Sequence, residues 1–179
     1  LWGAKFRFTT DDIRGSNTLS VSETSREDPF FSAFVQDEIT LIPDKLYFTL
    51  GSKIEHNNYT GIEVQPSSRI LYTPNTKNTV WGAISRAVRT PSRLEHTIRL
   101  DKESIAPGTL FPGSPATLGV IIGDNNFDSE VLTAFEIGYR TQPTNHLSFD
   151  AAAFYNLYYD LLTIESGTPL PDLTIPISV

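Results

Sequence analysis

Apolar and polar residues alternate along seven stretches of the chain, and the connections between them run long, short, long, short. Alternation with period two marks an extended strand that sends an apolar row to one face and a polar row to the other. In residues 31–42, Phe31, Ala33, Val35, Ile39 and Leu41 form the apolar row, with Ser32, Gln36, Glu38 and Thr40 between them. Asp37 breaks that row, and nothing in the sequence accounts for it. Residues 45–55 set Leu46, Phe48, Leu50 and Ile54 against Lys45, Thr49, Lys53 and Glu55. Residues 62–73 set Ile62, Val64, Ile70 and Tyr72 against Glu63, Gln65 and Arg69. Residues 129–140 oppose Val131, Thr133, Phe135, Ile137 and Tyr139 to Glu130, Glu136 and Arg140. Residues 147–160 oppose Leu147, Phe149, Ala151, Ala153 and Tyr155 to Ser148, Asp150, Asn156 and Tyr158. Residues 1–9, with Trp2, Phe6 and Phe8, make a first short strand, and residues 79–89 a fifth with less distinct faces. A helical period would scatter these rows around a cylinder.

The connections carry the second signal. Pro43-Asp44, residues 74–78 and residues 141–145 are short turns, whereas 10–29, 56–61 and 90–128 are longer polar loops. Strands that cross a bilayer up and down need tight turns on one side and tolerate long loops on the other. The strands run to about ten to thirteen residues, close to the roughly 9–11 of a tilted membrane strand. Pro66 inside the fourth strand predicts a bulge or a locally unpaired edge, because proline has no N–H to give a ladder. Residues 90–128, with Pro91, Pro107, Pro112 and Pro115, are expected to lack structure of their own, and residues 161–179 to be a loop. Tyr47, Tyr72, Trp81, Tyr139 and Tyr155 are candidates for aromatic girdles at the membrane surfaces. The fold class expected is all-β: an antiparallel up-and-down meander of about seven long strands, part of a transmembrane β-barrel.

Composition changes this picture only at the margins. At 39% hydrophobic and 20% charged, the chain resembles a soluble protein, as barrels do when only alternate residues meet lipid. A net charge of −7 argues against a nucleic-acid partner. The absence of cysteine excludes a disulfide framework, a thiolate metal site and a thiol nucleophile. The opening Leu1-Trp2-Gly3 and the closing Pro176-Ile177-Ser178-Val179 both read as cut from something longer.

Three segments resemble the C-terminal barrel of TonB-dependent outer-membrane receptors. They are Phe34 to Leu41 (FVQDEITL), Trp81 to Ser92 (WGAISRAVRTPS), and the run that holds Ala134 to Arg140 (AFEIGYR) and Phe154 to Asn156 (FYN). The resemblance covers nearly the whole chain. It implies about 22 strands in the full receptor, 22-stranded barrels being those whose lumen holds a plug. It also implies a bacterial outer-membrane location, outer-membrane lipid around the wall, and import of a ferric siderophore or other metal chelate. Residues 1–179 would then be a partial barrel domain, with the plug domain and remaining strands absent. Contact with the TonB complex would run through that missing plug region. The short turns would be periplasmic and the longer loops extracellular.

Candidate chemistry is sparse. Arg86 and Arg89, near the end of the fifth strand, are the expected ligand-binding residues, a basic wall that attracts an anionic chelate. The structural alternative pairs them with carboxylates of neighbouring strands, such as Glu130 and Glu136. Asp124, Asn126, Asp128 and Glu130 alternate like the start of a calcium loop, but lack its central glycine and its later bidentate Glu. His56, His96 and His146 are scattered and read as solvated. No nucleophile elbow, phosphate loop or paired-carboxylate motif is present, so no enzyme, catalytic residue, metal or cofactor is expected. The second reading of the whole chain is a self-contained soluble all-β carbohydrate-binding module, with exposed Trp and Tyr stacking on sugars.

Overall fold

The computed structural model describes residues 1–114, 116–167 and 174–178. Its elements in chain order are β1 (Trp2–Asp12), β2 (Leu19–Val21), β3 (Ser25–Ile42), β4 (Leu46–Asn57), β5 (Gly61–Asn75), β6 (Asn78–Arg89), α1 (Arg93–Thr97), β7 (Ile98–Ile105), β8 (Thr117–Ile122), β9 (Glu130–Thr144), β10 (Leu147–Tyr159), β11 (Glu165–Ser166) and β12 (Thr174–Ser178). The chain divides into two compact units. One comprises Leu1–Arg7, Pro29–Arg89 and Glu130–Asp160; the other comprises Phe8–Asp28, Thr90–Ser129 and Leu161–Val179.

The first unit is built on a seven-stranded sheet of order β1-β3-β4-β5-β6-β9-β10, the meander that the alternation predicts. Leu1 and Gln36 exchange backbone hydrogen bonds, at 2.7 and 2.8 Å, which fixes β1 antiparallel to β3. Antiparallel pairing continues across the sheet, with Leu46 opposite Tyr72, Phe48 opposite Ile70, and Ile54 opposite Val64 between β4 and β5. Val80, Gly82 and Ile84 of β6 then face Tyr139, Ile137 and Phe135 of β9. Each apolar residue meets its like, so a single apolar face runs from β3 to β10.

That face is not covered by the rest of the unit. Val35, Leu50, Ile54, Ile62, Ile70, Ile84, Ile137 and Tyr155 are all exposed, and the fully buried hydrophobic side chain among the described residues, Val120, belongs to the other unit. An uncovered apolar surface of this extent marks contact with lipid or another molecule. Asp37 stands on it opposite Leu50, exposed, its Oδ1 accepting the Glu38 backbone N–H at 3.1 Å. A bulge between Thr40 and Ile42 lets Ile42 face Leu46 and rejoin the apolar row.

The girdle candidates divide between the faces. Tyr72, Tyr139 and Tyr155 lie in the apolar rows, and the Tyr139 hydroxyl donates to Asn78 Oδ1 at 2.6 Å. Trp81 and Tyr47 fall at positions of opposite parity and share the polar face with Arg69, whose guanidinium sits 4.7 Å from the Trp81 ring centre. Trp81 lies opposite Gly138, and a Cβ there would come within 2.3 Å of its ring.

The second unit overturns the expectations that 10–29 and 90–128 are structureless and that 161–179 is a loop. A five-stranded sheet of order β11-β12-β8-β7-β2 fills it. β2 pairs with β7 and β7 with β8 antiparallel, while β8 and β12 run parallel. The short α1 starts at a capping box, in which the Glu95 N–H donates to Ser92 Oγ and the Ser92 N–H donates to Glu95 Oε2 at 2.5 Å. Arg93 is buried, and its guanidinium donates to the Asp11 carboxylate and the Glu23 carbonyl. His96, expected in solvent, is also buried, with Nε2 3.1 Å from the Phe127 carbonyl oxygen. Pro115, Pro169, Pro171 and Val179 lie outside the described residues.

Two expectations test these packings. In the full-length protein, Gly138→Val should lower the free energy of unfolding in urea by on the order of 1–3 kcal/mol, because the Trp81 ring must move. Gly82→Ala, whose Cβ would meet nothing nearer than 3.7 Å, should leave it unchanged. Arg93→Ala should strand the Asp11 carboxylate and the Glu23 carbonyl, at about 1–3 kcal/mol. Limited proteolysis should then cut within 90–128 while the seven-stranded sheet stays protected.

Candidate functional site on the polar face

The polar face gathers charged and aromatic side chains that lie far apart in sequence. On β1, Gly3, Lys5 and Arg7 share the parity of Leu1 and point with Gln36, Phe34, Ser32 and Phe30 of β3. The Arg7 guanidinium stacks over Phe30, 4.8 Å from the ring centre. Lys53 and Glu55 of β4 complete a recess of about 470 Å³. Glu55 is buried and held by the Lys53 ammonium and by Gln65 Nε2, which donates to its Oε2 at 2.6 Å. Lys5 has no ion pair among the described residues. Three cations and one carboxylate against two phenyl rings suit an anionic ligand with an apolar body.

A second recess of about 450 Å³ lies further along the same face. Glu38, Thr49, Arg69, Ala83 and Glu136 stand in register across five strands and line it, together with Gln36. Arg69 is committed to Trp81, and neither Glu38 nor Glu136 forms an ion pair among the described residues.

Arg86 and Arg89 are not brought together into one wall. Three residues apart on a strand means opposite faces. Arg89 belongs to the polar face and makes a two-pronged bond to Glu130, Nε to Oε2 at 2.7 Å and Nη2 to Oε1 at 2.9 Å. Arg86 takes the parity of Ile84 and Val88, in the apolar rows. Its guanidinium turns back to the Val64 carbonyl oxygen at 2.5 Å and lies 3.7 Å from Glu63. Asp124 folds into a turn, its Oδ1 accepting the Asn126 backbone N–H at 2.8 Å. In the connection between β7 and β8, Leu110 and Phe111 are exposed at a tip tied by Gly108 N–H donating to the Ser114 carbonyl at 2.8 Å.

The sequence signal for Lys5 and Arg7 is their alternation with Trp2, Phe6 and Phe8; what it lacks is the register that sets them beside Phe30 and Lys53. The two-pronged Arg89–Glu130 bond is open to solvent, so a double-mutant cycle with Arg89→Ala and Glu130→Gln should give a coupling of no more than about 1 kcal/mol.

Comparison with known proteins agrees with a membrane barrel wall. Residues 1–175 match the family described as TonB dependent receptor-like, beta-barrel. The chain belongs to this family of outer-membrane transport receptors, which are not enzymes. A search of the curated proteins returned no match. Among solved structures, the siderophore receptor PirA of Pseudomonas aeruginosa superposes with a TM-score of 0.72 at 19% identity, over 98% of this chain and 32% of that one. A variant of the ferric enterobactin receptor PfeA of Pseudomonas aeruginosa, in complex with enterobactin, gives 0.71 at 19% identity over 98% and 28%. The siderophore receptor PirA of Acinetobacter baumannii gives 0.65 at 16% over 86% and 24%. The chain therefore spans less than a third of these receptors. The family match, with the uncovered apolar face, replaces the alternative of a soluble carbohydrate-binding module.

Proposed function

We propose that this chain forms a section of the wall and external loops of an outer-membrane receptor that binds and imports a ferric siderophore or similar metal chelate. The observation that carries the reading is the recess of Lys5, Arg7 and Lys53 against Phe30 and Phe34, on the polar face of a sheet whose other face is apolar. In a barrel wall the apolar face meets lipid and the polar face lines the lumen. β1 and β3 run on from this recess into residues 13–24, a longer connection than the three-residue turns at either end of β4. The cations draw an anionic chelate inward, and the rings give its organic shell a surface to rest on. The β7–β8 tip with Leu110 and Phe111 is a second contact for the ligand. Such loops bind when a rigid scaffold positions them. Energy for import is supplied through TonB, reached by a plug region outside this chain.

The test uses the full-length receptor in detergent and a panel of ferric siderophores, with binding read by fluorescence quenching. The double variant Lys5→Glu, Arg7→Glu is expected to weaken binding of the best ligand at least tenfold, as is deletion of residues 106–114. Both should leave the barrel assembled, as judged by heat-modifiable migration. Unchanged affinity in both variants would sink the proposal.

A further inference from the structure

The β5–β6 contact is incomplete, and the gap is occupied by a side chain. β6 stays paired to β9 along its whole length, from Asn78 opposite Thr141 to Arg89 opposite Glu130. β5 stays paired to β4 from Asn57 opposite Gly61 to Leu46 opposite Tyr72, straight through Ser52 opposite Pro66. Between β5 and β6, however, pairing ends at Ser67 opposite Ser85. From Gly61 to Pro66, β5 has a backbone partner on one side only. Pro66 marks the break, and bears out the locally unpaired edge that its place in the sequence predicts.

The residue that would face Pro66 is Arg86. Its guanidinium reaches the Val64 carbonyl oxygen at 2.5 Å, so Val64 turns its backbone groups towards β6. Pro66, two residues on, turns the same way and has no N–H to offer. The guanidinium also lies 3.7 Å from Glu63, a buried carboxylate of the polar face. Arg86 thus starts in an apolar row and ends between the strands, against groups of the polar side. A notch of about 310 Å³, lined by Leu50, Pro66, Ser68, Ile84, Arg86 and Thr133, opens on the apolar side of the same gap.

We propose that Arg86 is a latch that closes a lateral seam in the barrel wall, doing with a side chain what the ladder does elsewhere with backbone. The proposal rests on the apolar face being the lipid side, but not on any ligand. A guanidinium is well suited to this role, because it always carries charge and its planar fork bonds a carbonyl and a carboxylate at once. Without it, water from the lumen reaches the notch between β5 and β6.

The test places a single cysteine at Ser68, in the notch, in the full-length receptor reconstituted in liposomes. Its labelling by a membrane-impermeant maleimide is followed in time. With Arg86 present, labelling is expected to be slow. Arg86→Ala should speed it at least tenfold, and Arg86→Lys, which keeps the charge but loses the fork, should fall between. A wild-type rate in a folded Arg86→Ala receptor overturns the latch. Should Arg86→Ala fail to assemble, Arg86→Lys and Glu63→Gln decide the matter. Faster labelling in both supports the seam, and wild-type rates in both reject it. Ligand affinity is not read in this assay, so its outcome stands apart from that of the binding test.

Discussion

Strand register is the constraint on which the rest of this protein hangs. With a side-chain period of two, slipping β4 by one residue would send Leu46, Leu50 and Ile54 to the polar side and put Lys53 and Glu55 on the other. Several local features hold the register. The bulge at Leu41 realigns Ile42 with Leu46. The absence of a side chain at Gly138 leaves the space that the Trp81 ring fills. Asp44, at a φ of 61°, closes the β3–β4 turn in the left-handed region, which Asp tolerates better than most residues. Once these are set, the two faces follow, and with them the recess in which Lys5 and Arg7 meet Phe30.

Charge on this sheet is managed by pairing across strands. Arg89 meets Glu130, Arg140 meets Asp150, and Lys53 meets Glu55 on its own strand. Of these, the exposed Arg140–Asp150 pair adds little to stability. The effect of the pairing is to leave the local potential to the groups that remain, Lys5 and Arg7 at one end and Glu38 and Glu136 further along. The polar face is thus uneven: positive beside β1, negative in the second recess. Unevenness of this kind steers an anion to one part of a wall.

Much of this was legible in the sequence because it is local. All seven long strands fall within a few residues of where alternation puts them, since period two needs no knowledge of partners. The small sheet of the second unit was not legible. β2, β7, β8 and β12 are short; β7 and β8 are consecutive, but β2 and β12 join them from distant segments, β12 in parallel with β8. Arg93 and His96 look like surface residues until Asp11, Glu23 and the Phe127 carbonyl are brought to them. Arg86 and Arg89 fail as a pair for a simpler reason: an odd spacing along a strand divides its members between faces, so proximity in sequence misled.

The make-up of the second unit has a consequence for how this part of the protein can change. Its sheet is assembled from three separate stretches: β2 comes from the first, β7 and β8 from the second, and β11 and β12 from the third. Replacing one of them with its counterpart from a relative would leave β7 facing a foreign β2, or Arg93 facing a foreign Asp11. Recombination between receptors therefore succeeds most readily when all three travel together. Lineages that exchange the unit in this way would show linked substitutions in stretches tens of residues apart, while the strands between them stay as they were.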